Sequence, residues 1–306
     1  MPASKSAQRR LDQIERDDMK AAFASEESLA ALYRISTQEQ EQPYVLPDQV
    51  TDHVAVERFE AEDGTTCFTL MPFEGASSQT HVLYLHGGGF VMQIGQPHWE
   101  FAIALVQALS CKVTVPLYPL APSYTYEDTY RSLMSSYEAV LAGGEKTLVT
   151  IGDSAGGNLA LAAAQLALQK GLRQPELIVT LSPLVDAADE LSGKDEIDAL
   201  DPMISTFGTS RIMQDWAPDA VANLQFPPCV LHGPLEGLAP VLCFVGSCEV
   251  LLPDSLELAK RIAQAGGSID LEVRGGLWHT YPLMPETDEA KEAFARIVES
   301  IRALEG

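Results

Sequence analysis

Two glycine-rich strings, each closing a short apolar run, constrain this chain most. Gly152-Asp153-Ser154-Ala155-Gly156 follows the strand-like run Thr147–Ile151 and leads into an Ala- and Leu-rich stretch that reads as a helix. A G-x-S-x-G string between strand and helix is an elbow. Its serine sits on a sharp, strained turn, and glycines two positions to either side let strand and helix approach without Cβ clashes. The turn lifts the Ser154 hydroxyl clear of the backbone and leaves the Ala155 N–H at a helix N-terminus, where it faces a developing oxyanion. Upstream, His86-Gly87-Gly88-Gly89-Phe90 follows the apolar run His81–Leu85. Three glycines in a row let a loop aim its N–H groups into a cavity instead of pairing them in a sheet, which supplies the other half of an oxyanion hole.

The patterning around these strings predicts an α/β fold. Strands are expected over 82–86, 112–116, 147–151, 177–181, 241–246 and 269–273, alternating with helices over about 97–109, 125–142, 154–170, 254–265 and 288–304. Such alternation requires a mostly parallel sheet with right-handed crossovers and helices on both faces. Two alternating runs, Val54–Phe59 and Cys67–Phe73, flank Asp63-Gly64 and read as an antiparallel hairpin, bringing the sheet to eight strands. Ala7–Thr37 carries apolar residues at helical spacing, and Gln38–Pro47 is a polar linker. The segment 187–236 breaks the rhythm. The expected organisation is therefore a core over 46–186 and 237–306, with a helical cap assembled from 1–45 and 187–236.

With HGGGF followed by GDSAGG, the chain resembles the hormone-sensitive-lipase-like carboxylesterases of the α/β-hydrolase superfamily. Tyr118-Pro119-Leu120-Ala121-Pro122 is similar to that family's Y-R-L-A-P stretch, with Pro119 in place of Arg, and Ser182-Pro183-Leu184-Val185-Asp186 to its S-P-x-x-D turn. The resemblance spans roughly 80–285. It implies the α/β-hydrolase fold with an eight-stranded sheet and a helical cap, and serine esterase activity.

Composition sets limits on partners. With 20 Lys and Arg against 43 Asp and Glu, the net charge is −23, and such a surface repels nucleic acid, anionic membranes and polyanionic substrates. The acids are spread along the chain, as suits a soluble, self-repelling surface; adaptation to a saline habitat is the other reading. The first residues lack the apolar core of a signal peptide, and the apolar helix after Asn158 is too short to cross a membrane. Five scattered cysteines, never spaced C-x-x-C, argue against a disulfide framework or a zinc site and for a reducing cytoplasm. The expected partner is a small-molecule ester, and a homodimer is left open.

Acyl transfer also needs a base and an acid. Of the six histidines, His279 alone follows the last predicted strand, completing the order Ser, acid, His. His53, His81, His98 and His232 are worse placed, and His86 is expected to brace its loop. The family pattern after the penultimate strand is G-x-x-D-x-L; here Gly246-Ser247-Cys248-Glu249-Val250-Leu251 puts Glu249 in the aspartate position. A glutamate can serve, because what is required is a carboxylate accepting the second imidazole N–H. Asp254 is the rival, but Asp254-x-x-Glu257 reads as a capping box opening the helix at 254.

The expected site is therefore Ser154, Glu249 and His279, with N–H groups of Gly87, Gly88 and Ala155 as the oxyanion hole and no metal or organic cofactor. Asp153 is expected to orient the elbow through backbone contacts. Phe90, Trp278 and Tyr281 adjoin the catalytic strings and are candidate pocket walls, while Phe207, Met213 and Trp216 read as packing. The expected substrates are short- to medium-chain esters. An amidase, deacetylase or lactonase would use the same serine machinery. A non-catalytic receptor is the third reading, since the plant gibberellin receptors resemble this family, but they lack its histidine.

Overall fold

A computed structural model describes residues 3–305 of the chain; Met1, Pro2 and Gly306, which fall within the expected 1–45 and 237–306 segments, lie outside the described residues. The eight strands are β1 (Ala55–Glu60), β2 (Thr66–Met71), β3 (Thr80–Leu85), β4 (Lys112–Pro116), β5 (Thr147–Asp153), β6 (Leu177–Leu181), β7 (Val241–Gly246) and β8 (Ile269–Arg274). They form one sheet in the order β1-β2-β4-β3-β5-β6-β7-β8. β1 and β2 pair antiparallel, β2 joins β4 antiparallel, and from β4 to β8 every pair is parallel. The strands of that parallel region from β3 to β7 are almost wholly buried, as their apolar β-branched runs require when helices cover both faces.

Eleven helices are placed among the described residues. In chain order they are α1 (Lys5–Asp17), α2 (Glu26–Gln40), α3 (Asp48–His53), α4 (Gln96–Leu109), α5 (Tyr126–Ala142), α6 (Ala155–Lys170), α7 (Lys194–Asp198), α8 (Thr206–Trp216), α9 (Pro218–Ala222), α10 (Leu252–Gln264) and α11 (Asp288–Arg302). α6 is buried along nearly its whole length because small residues fill it. The short helix α3, at the end of the expected linker, has no counterpart in the sequence reading, since six residues carry too little periodicity to register. α2 likewise extends to Gln40, into that linker.

The strand order explains where a site can form. β3 and β5 are neighbours, with Leu85 opposite Gly152, and the chain winds outward from them in opposite directions. The loops after β3 and β5 therefore open onto a crevice at the carboxyl edge, the usual ligand position in such sheets. The 3-10 turn Met19–Phe23 and α2 pack against the 187–236 segment, while α1 packs on α11. The Ser205 hydroxyl donates to the Phe23 carbonyl at 2.5 Å, Lys20 pairs with Asp198 at 2.9 Å, and the Tyr33 hydroxyl donates to Asp215 at 2.8 Å. Phe90, on the loop after β3, stacks on Trp216 of α8 with ring centroids 3.7 Å apart, joining this layer to the core.

Candidate active site

Ser154 occupies the elbow between β5 and α6 with φ 52° and ψ −118°, a strained left-handed conformation for a residue with a side chain. The turn can be this tight only because its flanks are glycine. A Cβ on Gly152 would collide with the Gly156 backbone, and one on Gly156 with the Leu85 carbonyl. The Ser154 N–H is tied to the Leu181 carbonyl at 2.8 Å, so the elbow is anchored to β6.

His279 lies on the loop after β8, with its Nε2 2.9 Å from Ser154 Oγ and its Nδ1 3.3 Å from Glu249 Oε1. Glu249 is fully buried. Its other oxygen, Oε2, accepts from the Gly246 N–H and from the Ser182 hydroxyl, each at 2.8 Å. The same Ser182 hydroxyl accepts the Thr280 N–H at 2.9 Å, so one side chain fixes both the acid and the residue after His279. The acid and histidine loops are also stitched directly, by the Cys248 N–H on the Leu277 carbonyl at 2.8 Å. Burial works against a charged His279. The hydrogen bond and charge of Glu249, with Asp201 and Asp153 nearby, outweigh it and hold the pKa above its ordinary value.

The loop after β3 differs from expectation at one position. The Gly87 N–H donates to Asp153 Oδ2 at 3.0 Å, so it is not free to bind an oxyanion. The N–H groups of Gly88, Gly89 and Ala155 donate to no protein acceptor among the described residues, and Gly88 and Gly89 line the same cavity as Ser154. Gly88 and Gly89 have φ of 114° and 63°, a conformation that glycine adopts freely. Asp153 is the brace for this loop. Besides Gly87, its buried carboxylate accepts the Tyr84 hydroxyl at 2.8 Å and lies 3.2 Å from His98 Nε2. Burial disfavours its charge, but His98 and Tyr84 keep its pKa below the usual value. Asp153 thus orients the neighbouring loop through backbone and side chains, more than its own elbow. His98, which sequence position alone ranked low, faces the cavity, and its Nδ1 accepts the Gly95 N–H at 3.0 Å. His86 braces its loop through Nδ1 and the Gly87 carbonyl at 2.6 Å, and burial beside His98 pushes its pKa down to about 3, leaving it neutral.

A model of the alpha/beta hydrolase fold family matches residues 82–283, about two thirds of the sequence. The chain belongs to this family. An esterase of Acinetobacter venetianus is similar to the hydrolase at 28% identity, covering 75% of this chain and 77% of the relative. An acetyl-hydrolase of Streptomyces hygroscopicus is 31% identical over 69% of this chain and 72% of its own length. Among solved structures, an esterase of the bacterial hormone-sensitive lipase family superposes with a TM-score of 0.81 at 29% identity, covering 100% of both chains. These relatives place the hydrolase in the hormone-sensitive-lipase-like branch.

The cavity over Ser154 has a volume of about 540 Å³, and its apolar walls include Phe23, Met92, Met203, Ile204, Ile212 and Leu283. A larger cleft of about 1070 Å³, beside the end of α2, contains neither Ser154 nor His279. Phe90, Trp278 and Tyr281 are not among the residues that line the cavity over Ser154. All three are buried in packing: Phe90 against Trp216, the Trp278 N–H on Met284 Sδ at 3.1 Å, and the Tyr281 hydroxyl on Glu272 at 3.4 Å. Adjacency in sequence does not place these side chains in the cavity, because in irregular loops their direction is set by packing partners such as Trp216 and Met284. Met213 and Trp216 are buried as packing residues, and Phe207 is exposed.

Asp254 does not act as a helix cap. α10 begins at Leu252, two residues earlier than expected, with no side-chain cap. The Asp254 carboxylate accepts the Val185 and Asp186 N–H groups at 3.0 and 2.8 Å and pairs with buried Lys194 at 3.0 Å. Asp254 therefore ties the turn after β6 to α7. Asp254→Asn is expected to lower stability by about 1–3 kcal/mol, the scale for a buried hydrogen bond to charge, while activity per folded molecule is retained. Thermal melting beside active-site titration checks this.

Proposed function

We propose that this hydrolase cleaves short- to medium-chain carboxylic esters through a Ser154 acyl-enzyme. It is a serine carboxylesterase of the hormone-sensitive-lipase-like branch. The observation that carries the mechanism is the chain of contacts from Ser154 Oγ through His279 to Glu249 Oε1, at 2.9 and 3.3 Å. With Glu249 holding the Nδ1 proton, His279 Nε2 is a free base aimed at the serine hydroxyl. His279 takes the Ser154 proton as Oγ attacks the ester carbonyl, and the oxyanion is received by the N–H groups of Gly88, Gly89 and Ala155. The imidazolium then protonates the departing alcohol. Water, deprotonated by the same His279, attacks the acyl-enzyme; the acyl C–Oγ bond breaks, the carboxylic acid leaves, and His279 returns the proton to Ser154 Oγ. All groups for these steps come from the chain, and no metal or organic cofactor takes part in them.

The substrate is a small molecule. A net charge of −23 gives neither nucleic acid nor an anionic membrane anything to bind, and no described helix is long and apolar enough to cross a membrane. All five cysteines are free thiols, which fits a cytoplasmic setting. The bounded cavity favours short acyl chains. Across p-nitrophenyl esters from acetate to palmitate, kcat/KM is expected to peak at short to medium lengths; palmitate turned over faster than butyrate would contradict this.

A pH profile tests the base. Only neutral His279 can accept the serine proton, and its pKa is raised. Activity is therefore expected to fall on acidification with a midpoint above 6.5, the ordinary imidazole value. A rate that stays flat well below that value would remove His279 from the mechanism.

A further inference from the structure

Asp201 stands in the 187–236 segment, just ahead of α8, and is only 2% exposed. Among the described residues no lysine or arginine pairs with it, so this buried carboxylate is held by backbone donors alone. Its Oδ1 accepts the N–H groups of Met203 and Ile204 at 2.8 and 3.1 Å, and its Oδ2 accepts the Val250 N–H at 2.9 Å. These partners belong to two functional parts. Met203 and Ile204 wall the cavity over Ser154, and Val250 follows Glu249 on the loop that carries the acid.

We propose that Asp201 is a positioning residue through which the covering segment sets the acid loop and the cavity wall in one register and adds a further negative charge near His279. The inference rests on the reading of Ser154, His279 and Glu249 given above. A buried carboxylate without a cation is costly unless its lone pairs are satisfied, and three N–H bonds do this while fixing the two segments they come from. Glu249 is then clamped on both sides: Gly246 and Ser182 hold its carboxylate, and Asp201 holds the backbone of the next residue. The acidic groups near enough to act on His279 are Glu249 from the loop after β7, Asp153 from the end of β5 and Asp201 from the covering segment. Asp153 is already hydrogen-bonded by His98, Tyr84 and the Gly87 N–H, whereas Asp201 is held by backbone N–H groups alone.

Burial raises the Asp201 pKa, and proximity to His279 and its three N–H donors opposes that rise. The sign of its effect on the base is fixed: a negative neighbour stabilises imidazolium, so removing it lowers the His279 pKa.

Asp201→Asn tests the proposal. The amide keeps one acceptor for Met203 and Ile204 but turns its NH2 toward the Val250 N–H, donor against donor. The expected result is a fall in kcat of about 10- to 100-fold, with the acid limb of kcat/KM moved to lower pH. In a Ser154→Ala background, NMR titration of the His279 ring should move in the same direction. A folded Asp201→Asn protein with an unmoved limb and an unmoved His279 titration overturns the proposal, whatever its melting temperature. If the variant does not fold, the test passes to the Val250 amide of the Ser154→Ala protein, which is expected to be protected from exchange and shifted downfield; rapid exchange overturns the proposal. An active Ser154→Ala enzyme would instead remove the reading on which this inference rests, so the two failures are distinguishable.

Discussion

Ser154→Ala is expected to abolish ester hydrolysis, by on the order of 10³-fold or more, without unfolding the protein. The Ser154 side chain makes its one side-chain hydrogen bond to His279, so its loss leaves no other buried group unpaired. The backbone strain at φ 52° is the same for alanine as for serine, and the elbow's anchor to Leu181 uses the main chain. What disappears is the atom that the proposed mechanism acylates. His279, Glu249 and the Gly88, Gly89 and Ala155 N–H groups would remain in place, and residual turnover would reflect water attacking a bound, polarised ester. Steady-state hydrolysis of p-nitrophenyl butyrate beside a melting curve checks both halves of the statement. Activity within tenfold of wild type would exclude Ser154 as nucleophile.

How far the sequence speaks for itself differs between strands and pockets. The parallel strands are legible because each must be apolar on both faces, and that requirement leaves a compact local signature, as in Leu177–Leu181 or Val241–Gly246. The elbow is legible because close approach admits only glycine at positions 152 and 156. The Gly87 N–H differs from expectation because which of three adjacent amides points into the cavity depends on Asp153, more than sixty positions away in the chain. Phe90, Trp278 and Tyr281 show the same limit, since side-chain direction in an irregular loop follows from packing partners such as Trp216 and Met284. His98 and Asp201 carried no motif. Their roles arise from contacts with Asp153 and Val250 that only the folded chain creates. Asp254 is the converse case, where a capping-box string is real as sequence but the helix starts two residues earlier and a buried lysine claims the carboxylate.

Glu249→Gln carries the second large effect, a loss in kcat on the order of 10²–10⁴-fold with the fold retained. The reason lies in how its two oxygens are used. Oε2 accepts from Gly246 and Ser182, while Oε1 faces His279 Nδ1. A glutamine has one acceptor and one donor to distribute between these places. If its oxygen keeps Gly246 and Ser182, its NH2 faces Nδ1 and favours the tautomer with the proton on Nε2, which cannot accept from Ser154. If the amide flips, its NH2 is set against the Gly246 N–H in a site without solvent, which costs stability. Either arrangement also removes the charge that sustains imidazolium. Glu249→Asp keeps the charge but is one methylene shorter, and it cannot hold Gly246 and Ser182 while reaching His279. It is expected to lose less, about 10- to 100-fold. Full kinetics for both variants, with circular dichroism as the fold control, decide the matter. A Glu249→Gln enzyme within about fivefold of wild type would mean that another carboxylate serves His279, and Asp201, a buried acid near His279, would be the one to test next.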